Sequence, residues 1–303
     1  MEYPRRIKID NPHIWQHHQR GWKYVIGLLK THLHSPYGVK FLSSVDDAVV
    51  QGQFIEEPWV GFLHQVPDTH GRWFPDLGRI FASPVWEANL RFCRGLFVLS
   101  EYLRSFVLEH VKDIPVSKLY YPAAQAKVLF DEAKFGTRRP RKMFHIGQYL
   151  RDYQAFYDLK ATGYHKYLVW HHGVNIEDVL TNDSVDIVQS LSMPEYDQLL
   201  ADGLVFLKLK DSSANTVIVE CIAANTPLLI NPVGGVSEYL GKDYPLYYRD
   251  LGEACEIAAN TNLIVAASHY LSCARAKTLT SREYFLDSLV TSEVYENLAG
   301  VMG

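Results

Sequence analysis

The sequence is poor in the patterns that define several large classes of protein. Only four of its 303 residues are cysteines, and no two of them form a C-x-x-C pair, so neither a disulfide framework nor a cysteine zinc site is indicated. No apolar run approaches the roughly 18 residues of a membrane-spanning helix. The stretch MEYPRRIKIDNPH lacks the apolar core of a signal peptide. We therefore expect a soluble, cytoplasmic protein with reduced cysteines and no transmembrane segment.

The motifs of common nucleotide and metal sites are also missing. There is no G-x-G-x-x-G for a dinucleotide, no G-x-x-x-x-G-K-[ST] phosphate loop and no G-x-S-x-G nucleophile turn. No D-x-D is present that could hold a divalent cation on a diphosphate, and the thirteen histidines include no H-E-x-x-H. We predict that the protein uses no metal and no cofactor.

The composition is that of a folded protein. Hydrophobic residues make up 48% of the chain and aromatic residues 13%, which is enough for packed cores. Acidic residues number 34 and basic residues 30, so the net charge is −4. A nucleic-acid binder needs a basic surface, and we therefore predict no nucleic-acid partner.

Short apolar runs alternate with helical patterns along the chain. In the first part, strands are predicted at IKI (7–9), VKFL (39–42), WVGFL (59–63), GLFVL (95–99) and KLYY (118–121). In the second part, they are predicted at KMFHI (142–146), YLVW (167–170), DIV (186–188), LVFLK (204–208), PLLIN (227–231) and PLYY (245–248). Apolar strands separated by helices favour parallel sheets covered on both faces. The expected fold class is α/β, with two Rossmann-like, doubly wound domains facing across a cleft.

The change of texture after residue 122 sets the expected domain boundaries. We place the first domain at 1–122, a linker at 123–141, the second domain at 142–280, and a C-terminal helix at 281–303 that can cross back to the first domain. The linker carries a basic cluster made of Lys134, Arg138, Arg139, Arg141 and Lys142. This cluster is either a solvated surface or an attractor of phosphate at a hinge.

One helix start in the second domain has an unusual composition. The segment DSSANTVIVE (211–220) places small polar residues directly before a strongly apolar helix, predicted at Ala214–Ala224. The start of a helix presents unpaired backbone N–H groups with partial positive charge. An anion, and phosphate above all, is the ligand that such a helix start favours.

The longer segment around this helix resembles a known family. The sequence LVFLKLKDSSANTVIVECIAANTPLLINPVGGVSEYLG is similar to the C-terminal signature of retaining GT-B glycosyltransferases of the family 4 type. The residues that fall in step are Glu220, Ala224, Pro227, Gly234, Gly235 and Glu238. The resemblance covers about residues 59–260, and the short chain resembles the compact transferases of bacterial surface-glycan clusters and of large algal DNA viruses.

The resemblance implies roles for the residues of this segment. In the E-x7-E motif of the family, the second Glu falls on Glu220, which would accept hydrogen bonds from the ribose of a nucleotide diphosphate-sugar. The first Glu, which handles the transferred sugar, would fall on Ser212, and Asp211 is a candidate to replace it. The residues implied to meet the diphosphate are Ser213, Ala214, Asn215 and Thr216.

Three further groups of residues are implied by the same resemblance. Gly147 and Arg151 lie in the loop that binds the diphosphate, and Lys210 is a second cation for the leaving group. Ser190 and Leu191 correspond to the edge that contacts the base. In the first domain, His64 corresponds to a catalytic histidine, and the candidate contacts of the acceptor are Asp68, His70 and Arg72.

The implied function is transfer of a hexose, with retention, from a nucleotide diphosphate-sugar to a glycan or glycoprotein hydroxyl in glycan biosynthesis. GDP-mannose is the expected donor, no metal is required, and a homodimer is compatible with the sequence. Two alternatives stay open at this point. They are a nucleotide-sugar epimerase on the same scaffold and a non-catalytic protein that binds nucleotide-sugars or glycans.

Overall fold

A computed structural model gives the structure of the chain, and it describes residues 3–14, 21–71, 74–170, 184–189 and 191–301. The chain forms two compact units. The first unit contains Met1–Ala123 together with Leu279–Gly303, and the second contains Ala124–Thr278. Among the described residues, no helix is both long enough and apolar enough to cross a membrane.

The first unit is built on a sheet of five parallel strands. They are β1 (Ile7–Lys8), β2 (Val39–Leu42), β3 (Trp59–Phe62), β4 (Cys93–Val98) and β5 (Val116–Lys118). Their spatial order is the order of the chain, from β1 to β5. All four residues of β3 are buried, as expected for a strand with both faces covered.

The helices of the first unit are short and mostly begin at a side-chain cap. They are α1 (Trp22–His32), α2 (Val45–Val50), α3 (Leu77–Phe81), α4 (Pro84–Leu90), α5 (Glu101–His110), α14 (Arg282–Val290) and α15 (Glu293–Asn297), followed by a 3-10 helix at Leu298–Gly300. Ser44, Ser83 and Ser100 each accept a hydrogen bond from a backbone N–H in the first turn of a helix, which stabilises these starts.

The C-terminal residues pack onto the first sheet. Helix α15 contacts β4 and β5, and a Cβ added to Gly95 in β4 would lie 2.5 Å from a methyl carbon of Val294. Arg6, near the start of the chain, donates from Nη1 to the carbonyl oxygen of Tyr295 at 2.9 Å. The two ends of the chain therefore belong to one packed unit.

The second unit contains the other five strands, which are also parallel. They are β6 (Arg141–Ile146), β7 (Tyr164–Trp170), β8 (Val185–Gln189), β9 (Gly203–Leu207) and β10 (Leu228–Ile230). Their spatial order is β10-β9-β6-β7-β8, so the direction of winding reverses between β6 and β9. In an open α/β sheet, ligands bind beyond the carboxyl ends of the strands at such a reversal.

The described residues of the second unit form eight helices. They are α6 (Glu132–Thr137), α7 (Tyr153–Asp158), α8 (Met193–Asp202), α9 (Thr216–Ala224), α10 (Val236–Leu240), α11 (Leu251–Ala259), α12 (Thr261–Ser272) and α13 (Ala274–Leu279). A capping box of Ser192 and Glu195 stabilises the start of α8. Asn225 ends α9 in the left-handed conformation, with φ 57°.

Two sequence expectations need correction. The run PLYY (245–248) forms no strand among the described residues, because Tyr247 makes only an isolated bridge to Ile230. The segment predicted as a linker, 123–141, is not a plain connection. From residue 124 it belongs to the second unit, and it contains α6, whose Phe135 is fully buried.

The basic cluster in this segment is organised around one buried carboxylate. Lys134, Arg138 and Lys142 place their charged nitrogens 2.5, 3.2 and 3.8 Å from the carboxylate of Asp202, whose side chain is 4% exposed. Burial opposes ionisation of this group, but the hydrogen bonds from Lys134, Gln198 and Arg138 outweigh it, and the pKa of Asp202 lies below its usual value. Three of the five cations of the cluster therefore pair with one buried carboxylate, while their own side chains stay 28–38% exposed.

Candidate functional site

The candidate site lies where the order of the second sheet reverses. The loop after β6 and the loop after β9 are joined there by backbone hydrogen bonds. Lys210 N donates to Leu150 O at 3.0 Å, and Asp152 N donates to Lys208 O at 2.9 Å. Asn231, after β10, holds the second loop from the other side, since its side chain bonds both the N–H and the carbonyl of Leu209 at 2.8 Å. The two loops thus form one rigid edge.

Arg151 is the central charged group of this edge. Its residue is 8% exposed, and its guanidinium donates to Tyr149 O at 2.8 Å, to Ile146 O at 3.4 Å and to Asn215 Oδ1 at 3.3 Å. Gly147 has φ +86°, and a Cβ at this position would lie 3.1 Å from Nη2 of Arg151. The glycine therefore gives the loop its left-handed turn and leaves room for the guanidinium.

Arg151 carries a positive charge in this region, whereas the neighbouring His145 does not. Burial lowers the pKa of Arg151 to about 10, and the nearby phenol groups of Tyr153 and Tyr196 act in the opposite direction, so the guanidinium stays charged at neutral pH. Burial also lowers the pKa of His145 to about 3, and the charge of Arg151 adds to this effect. His145 is therefore neutral and adds no second positive charge.

The start of α9 differs from the open helix start that the sequence suggested. The helix begins at Thr216 rather than Ala214, and Asn215 caps it by accepting a hydrogen bond from Val217 N at 3.0 Å. The same amide oxygen, Oδ1, accepts the bond from Arg151. The cap therefore brings a buried guanidinium next to the positive end of a nine-residue helix, which is a favourable setting for an anion.

The glycine pair after β10 supports the turn that precedes α9. Asp211 is 7% exposed, and its Oδ1 accepts a hydrogen bond from Ser212 N at 2.7 Å. Gly235 N donates to Ser212 O at 2.8 Å. Gly234 has φ +51°, and a Cβ there would lie 2.3 Å from Ser212 O and 2.8 Å from Asp211 Oδ1. Only glycine fits this close approach.

Glu220 lies inside α9 and is 7% exposed. Its Oε2 accepts a hydrogen bond of 2.6 Å from the hydroxyl of Tyr196 in α8. Tyr196 was not predicted as a site residue, because a single tyrosine in an amphipathic helix carries no signal of its own. Its contact with Glu220 becomes visible only when α8 and α9 are packed together.

The remaining predicted residues of the second unit lie around this edge. Ser213 is buried like Asp211 and Ser212, whereas Ala214 and Thr216 are partly exposed and Lys210 is exposed. Leu191 is partly exposed and directly precedes Ser192, the cap of α8. Ser190 lies outside the described residues.

His64 belongs to the first unit and follows β3. Its Nε2 lies 2.9 Å from the carbonyl oxygen of Ser43, and because a carbonyl only accepts, Nε2 is the donor. The His64 ring packs against Trp22 in a T-shaped arrangement, with a centroid distance of 4.3 Å. The ring is therefore held in one orientation by the loop after β2 and by helix α1.

Asp46 is a buried acid beside His64 that the sequence reasoning missed. Its residue is 2% exposed, and its Oδ2 accepts a hydrogen bond from His64 N at 2.6 Å. Burial raises the pKa of this carboxyl to about 7, with a smaller contribution from the charge of Asp47, while hydrogen bonds from backbone N–H groups oppose the shift. The sequence signal was the pair Asp46–Asp47 in the first turn of a helix directly after a strand.

The predicted acceptor contacts lie in the loop that follows His64. Asp68 and His70 are exposed, and they contact each other through His70 N and Asp68 Oδ1 at 2.6 Å. His70 has φ 52°, so this is a tight turn. Arg72 lies outside the described residues. Within the described ranges, no group of three or more histidine, cysteine or acidic side chains is arranged to hold a metal ion.

No protein-family model matches the chain, and no curated protein matches it by sequence. Solved structures do match. TarM aligns with a TM-score of 0.61 and 14% identity over 86% of this chain and 54% of TarM. HepE from Anabaena, in complex with UDP and glucose, aligns with a TM-score of 0.58 and 14% identity over 92% of this chain and 80% of HepE. Sucrose-phosphate synthase from Thermosynechococcus elongatus aligns with a TM-score of 0.56 and 13% identity, over 93% of this chain and 75% of that protein.

These likenesses concern the fold. The predicted class is confirmed, since the chain has two parallel-sheet, Rossmann-like α/β units and its structural neighbours are GT-B glycosyltransferases. The chain spans about half the length of TarM, at 54%. A TarM variant from S. aureus was solved with fondaparinux, α-GlcNAc-glycerol and UDP.

Proposed function

We propose that the protein is a retaining glycosyltransferase that takes its sugar from a nucleotide diphosphate-sugar. One observation carries the proposal. A buried guanidinium, that of Arg151, is held against the capped start of α9 at the reversal point of a parallel sheet. Positive charge, a helix start and the carboxyl edge of the strands suit a diphosphate together. The GT-B glycosyltransferase neighbours support sugar transfer as the use of such a site.

In the proposed reaction, the bond between the anomeric carbon and the diphosphate oxygen breaks. The bonding electrons leave with the diphosphate, the acceptor hydroxyl attacks from the same face of the sugar, and its proton passes to the departing phosphate. Arg151 can hold two phosphate oxygens in one plane while negative charge grows on them. Lys210, exposed on the same edge, would add a second positive charge, and the dipole of α9 acts in the same direction.

In the family, the first Glu of the E-x7-E motif contacts the transferred sugar, and this chain has no Glu at that position. Ser212 occupies that position, and the preceding Asp211 is buried and held by Ser212 N. We assign to Asp211 the contact with sugar hydroxyls that a glutamate makes in the family.

The acceptor is proposed to be a hydroxyl of a glycan or glycoprotein. We assign its contacts to the loop of the first unit that carries His64, Asp68, His70 and Arg72. His64 is the proposed catalytic member of this set. The donor of its ring hydrogen bond is Nε2, so a neutral His64 has the lone pair of Nδ1 as its acceptor.

The donor is proposed to be GDP-mannose on the resemblance of the sequence, whereas the complexes of TarM and HepE contain UDP. Calorimetric titration with UDP, GDP, UDP-glucose, UDP-GlcNAc and GDP-mannose distinguishes these donors. Binding of a GDP species at least tenfold tighter than the matching UDP species supports GDP-mannose, and the reverse ranking replaces it with a UDP-sugar.

The same preparations separate the classes of function. A transferase releases nucleoside diphosphate slowly without acceptor, and faster with it. An epimerase would yield an isomeric nucleotide-sugar, and a binding protein would yield neither product. Failure to bind any member of the panel would refute the proposed function as a whole.

A further inference from the structure

The hydrogen bond between Tyr196 and Glu220 links two helices of the second unit. Both residues are buried, at 6% and 7% exposure, and their oxygen atoms are 2.6 Å apart. The distance is typical of a hydroxyl that donates to an ionised carboxylate, which is among the stronger hydrogen bonds in proteins. Residues that are 24 positions apart in the chain are thus joined through their functional atoms.

The hydrogen bond from Tyr196 restricts the orientation of the buried carboxylate of Glu220. Glu220 has three rotatable side-chain bonds, and a bond to Oε2 fixes the plane of its carboxylate. Because a carboxylate has about four acceptor positions, one phenol bond orients the group without exhausting its capacity for hydrogen bonds. Tyr196 can therefore support Glu220 while Glu220 binds a further donor group.

The position of Tyr196 along α8 strengthens this interpretation. The helix begins at Met193, directly after Ser192 and the predicted base contact Leu191, and Tyr196 lies near the end of its first turn. The start of α8 is fixed by the capping box, in which Glu195 Oε2 accepts from Ser192 N at 2.8 Å. One rigid helix start thus carries both the segment assigned to the base and the side chain that holds Glu220.

We propose that Tyr196 is a positioning residue for the ribose of the donor, which holds the carboxylate of Glu220 in the orientation that accepts the 2′- and 3′-hydroxyl groups. The inference rests on the proposed function and adds to it a basis for selecting ribonucleotides. Without the phenol hydroxyl, Glu220 would remain in the site but would lose its fixed orientation. Discrimination between ribose and a ribose without hydroxyl groups would then fall.

The test compares nucleotides that differ only in these hydroxyl groups. UDP and GDP are titrated into the wild-type chain and into Tyr196→Phe, together with 2′,3′-dideoxy-UDP and 2′,3′-dideoxy-GDP. A hydrogen bond to a charged group corresponds to a tenfold or larger change in affinity. We expect the wild type to prefer the ribose form of its nucleotide by about tenfold or more, and Tyr196→Phe to prefer it by no more than about threefold.

Two further measurements distinguish positioning from general packing. Tyr164→Phe is the matched control, because the hydroxyl of Tyr164 donates to Ala258 O at 2.8 Å in the same unit, at the start of β7 and thus at the opposite edge of the sheet. This control should keep the full preference for ribose. Inorganic pyrophosphate, which has no ribose, should bind equally well to the wild type and to Tyr196→Phe.

The outcomes separate the two proposals. If the wild type binds neither UDP nor GDP, the proposed function is wrong. If the wild type discriminates and Tyr196→Phe discriminates equally, the role of Tyr196 is refuted while the proposed function stands. Loss of pyrophosphate binding in Tyr196→Phe would also refute it, because the hydroxyl would then support the whole site rather than the ribose contact.

Discussion

The edges of the two sheets differ in the charge that they bury. At the edge of the second sheet, the guanidinium of Arg151 is buried at the reversal point, next to a helix start. At the edge of the first sheet, the carboxyl of Asp46 is buried, and burial raises its pKa to about 7. The first setting favours an anion, whereas the second disfavours charge and suits a neutral ligand with hydroxyl groups. This difference is compatible with the proposed assignment of the donor to the second unit and of the acceptor to the first.

The strand order contributes to this difference. In the second sheet, β6 and β9 are neighbours, although they are separated in the chain by two strands and the helices between them. Their connections therefore leave in different directions and open a crevice at the sheet edge. In the first sheet, neighbouring strands follow each other in the chain, and helix α2, which follows β2, contacts the loop after β3 through the hydrogen bond between Asp46 and His64.

The largest effect should come from removing the buried cation. We expect Arg151→Ala to weaken binding of nucleoside diphosphate by roughly 10- to 100-fold, the scale of hydrogen bonds to charged groups. Transfer should slow further, by about 100-fold or more, because negative charge on the leaving group increases in the transition state. Calorimetry and initial rates with the same donor measure the two quantities.

His64→Ala is the corresponding substitution in the first unit, and its effects on binding and on transfer are compared with those of Arg151→Ala. It should leave the dissociation constant of nucleoside diphosphate within about twofold, well below the tenfold that corresponds to about 1.4 kcal/mol, while the rate of transfer falls. Arg249→Ala controls for general loss of positive charge, since Arg249 is exposed and pairs with Glu253 in the second unit. A collapse of nucleotide binding in His64→Ala alone would show that the roles of the two units are exchanged.

The two buried aspartates should give opposite pH dependences of stability. The pKa of Asp46 is raised from 3.8 to about 7 in the folded state, so the folded protein binds its proton more tightly than the unfolded chain. Stability should therefore fall as pH rises from about 4 to about 7, in total by about 4 kcal/mol at about 1.4 kcal/mol per pKa unit. Asp46→Asn should remove this decline in urea unfolding measured at pH 5 and pH 8.

Asp202 provides the contrast in the second unit. Its pKa is lowered by Lys134, Gln198 and Arg138 against the effect of burial, so its contribution is present above the pKa of the unfolded chain and is lost as pH falls through the folded value. Asp202→Asn should therefore destabilise the protein at pH 6 more than at pH 3. Equal pH profiles for Asp46→Asn and the wild type would contradict the burial of an uncharged carboxyl at Asp46.

A smaller effect is expected at the glycine turn of the candidate site. Gly234→Ala adds a Cβ at 2.3 Å from Ser212 O and also requires a left-handed alanine. Gly163→Ala is the matched control, because Gly163 has φ +84° with nothing within 4 Å of an added Cβ. The control should cost about 1 kcal/mol for backbone strain alone, and Gly234→Ala about 1–3 kcal/mol more for the clash. Equal urea midpoints for the two variants would show that the turn yields to the added Cβ.

The smallest effect is expected from chelation. We predict that excess EDTA leaves donor binding and transfer unchanged, because the buried guanidinium and the helix start supply the positive charge that a metal would otherwise bring to a diphosphate. Calorimetry and rate measurements before and after treatment test this. A loss of binding that Mn²⁺ restores would overturn the assignment of Arg151 as the group that neutralises the diphosphate.

Local patterns predicted most of the fold. The strands in the described part of the chain fall largely on predicted apolar runs, because a buried parallel strand is itself a continuous apolar segment. The exception is β5, which shares only Lys118 with the predicted strand KLYY (118–121). Helices α2, α3 and α4 were not predicted, since they have only five to seven residues and too few turns for a 3.6-residue period to appear. The failed strand PLYY has strand-like composition, but only one bridge joins it to the sheet.

The candidate site was predictable only in its contiguous part. Asp211–Glu220 and the glycine pair lie within one short segment, so a resemblance in sequence can locate them together. Arg151 was assigned from its loop, yet its contact with Asn215 spans 64 positions and appears only in the structure. Asp46 and Tyr196 could not be assigned because their contacts with His64 and Glu220 depend on the packing of separate elements. The sequence shows that these residues are present but contains no pattern that singles them out.

The discontinuity of the first unit has a consequence for how the chain folds during synthesis. Residues Met1–Ala123 leave the ribosome first, but α15, which packs on β4 and β5, is made after the entire second unit. Contacts such as that between Arg6 and Tyr295, which are 289 positions apart, form only after the second unit has been made. The second unit can therefore fold as an insertion while β4 and β5 carry α5 but still lack α15, and contacts of such sequence separation form slowly. Joining Ala123 to Leu279 by a short linker should release the first unit from this delay.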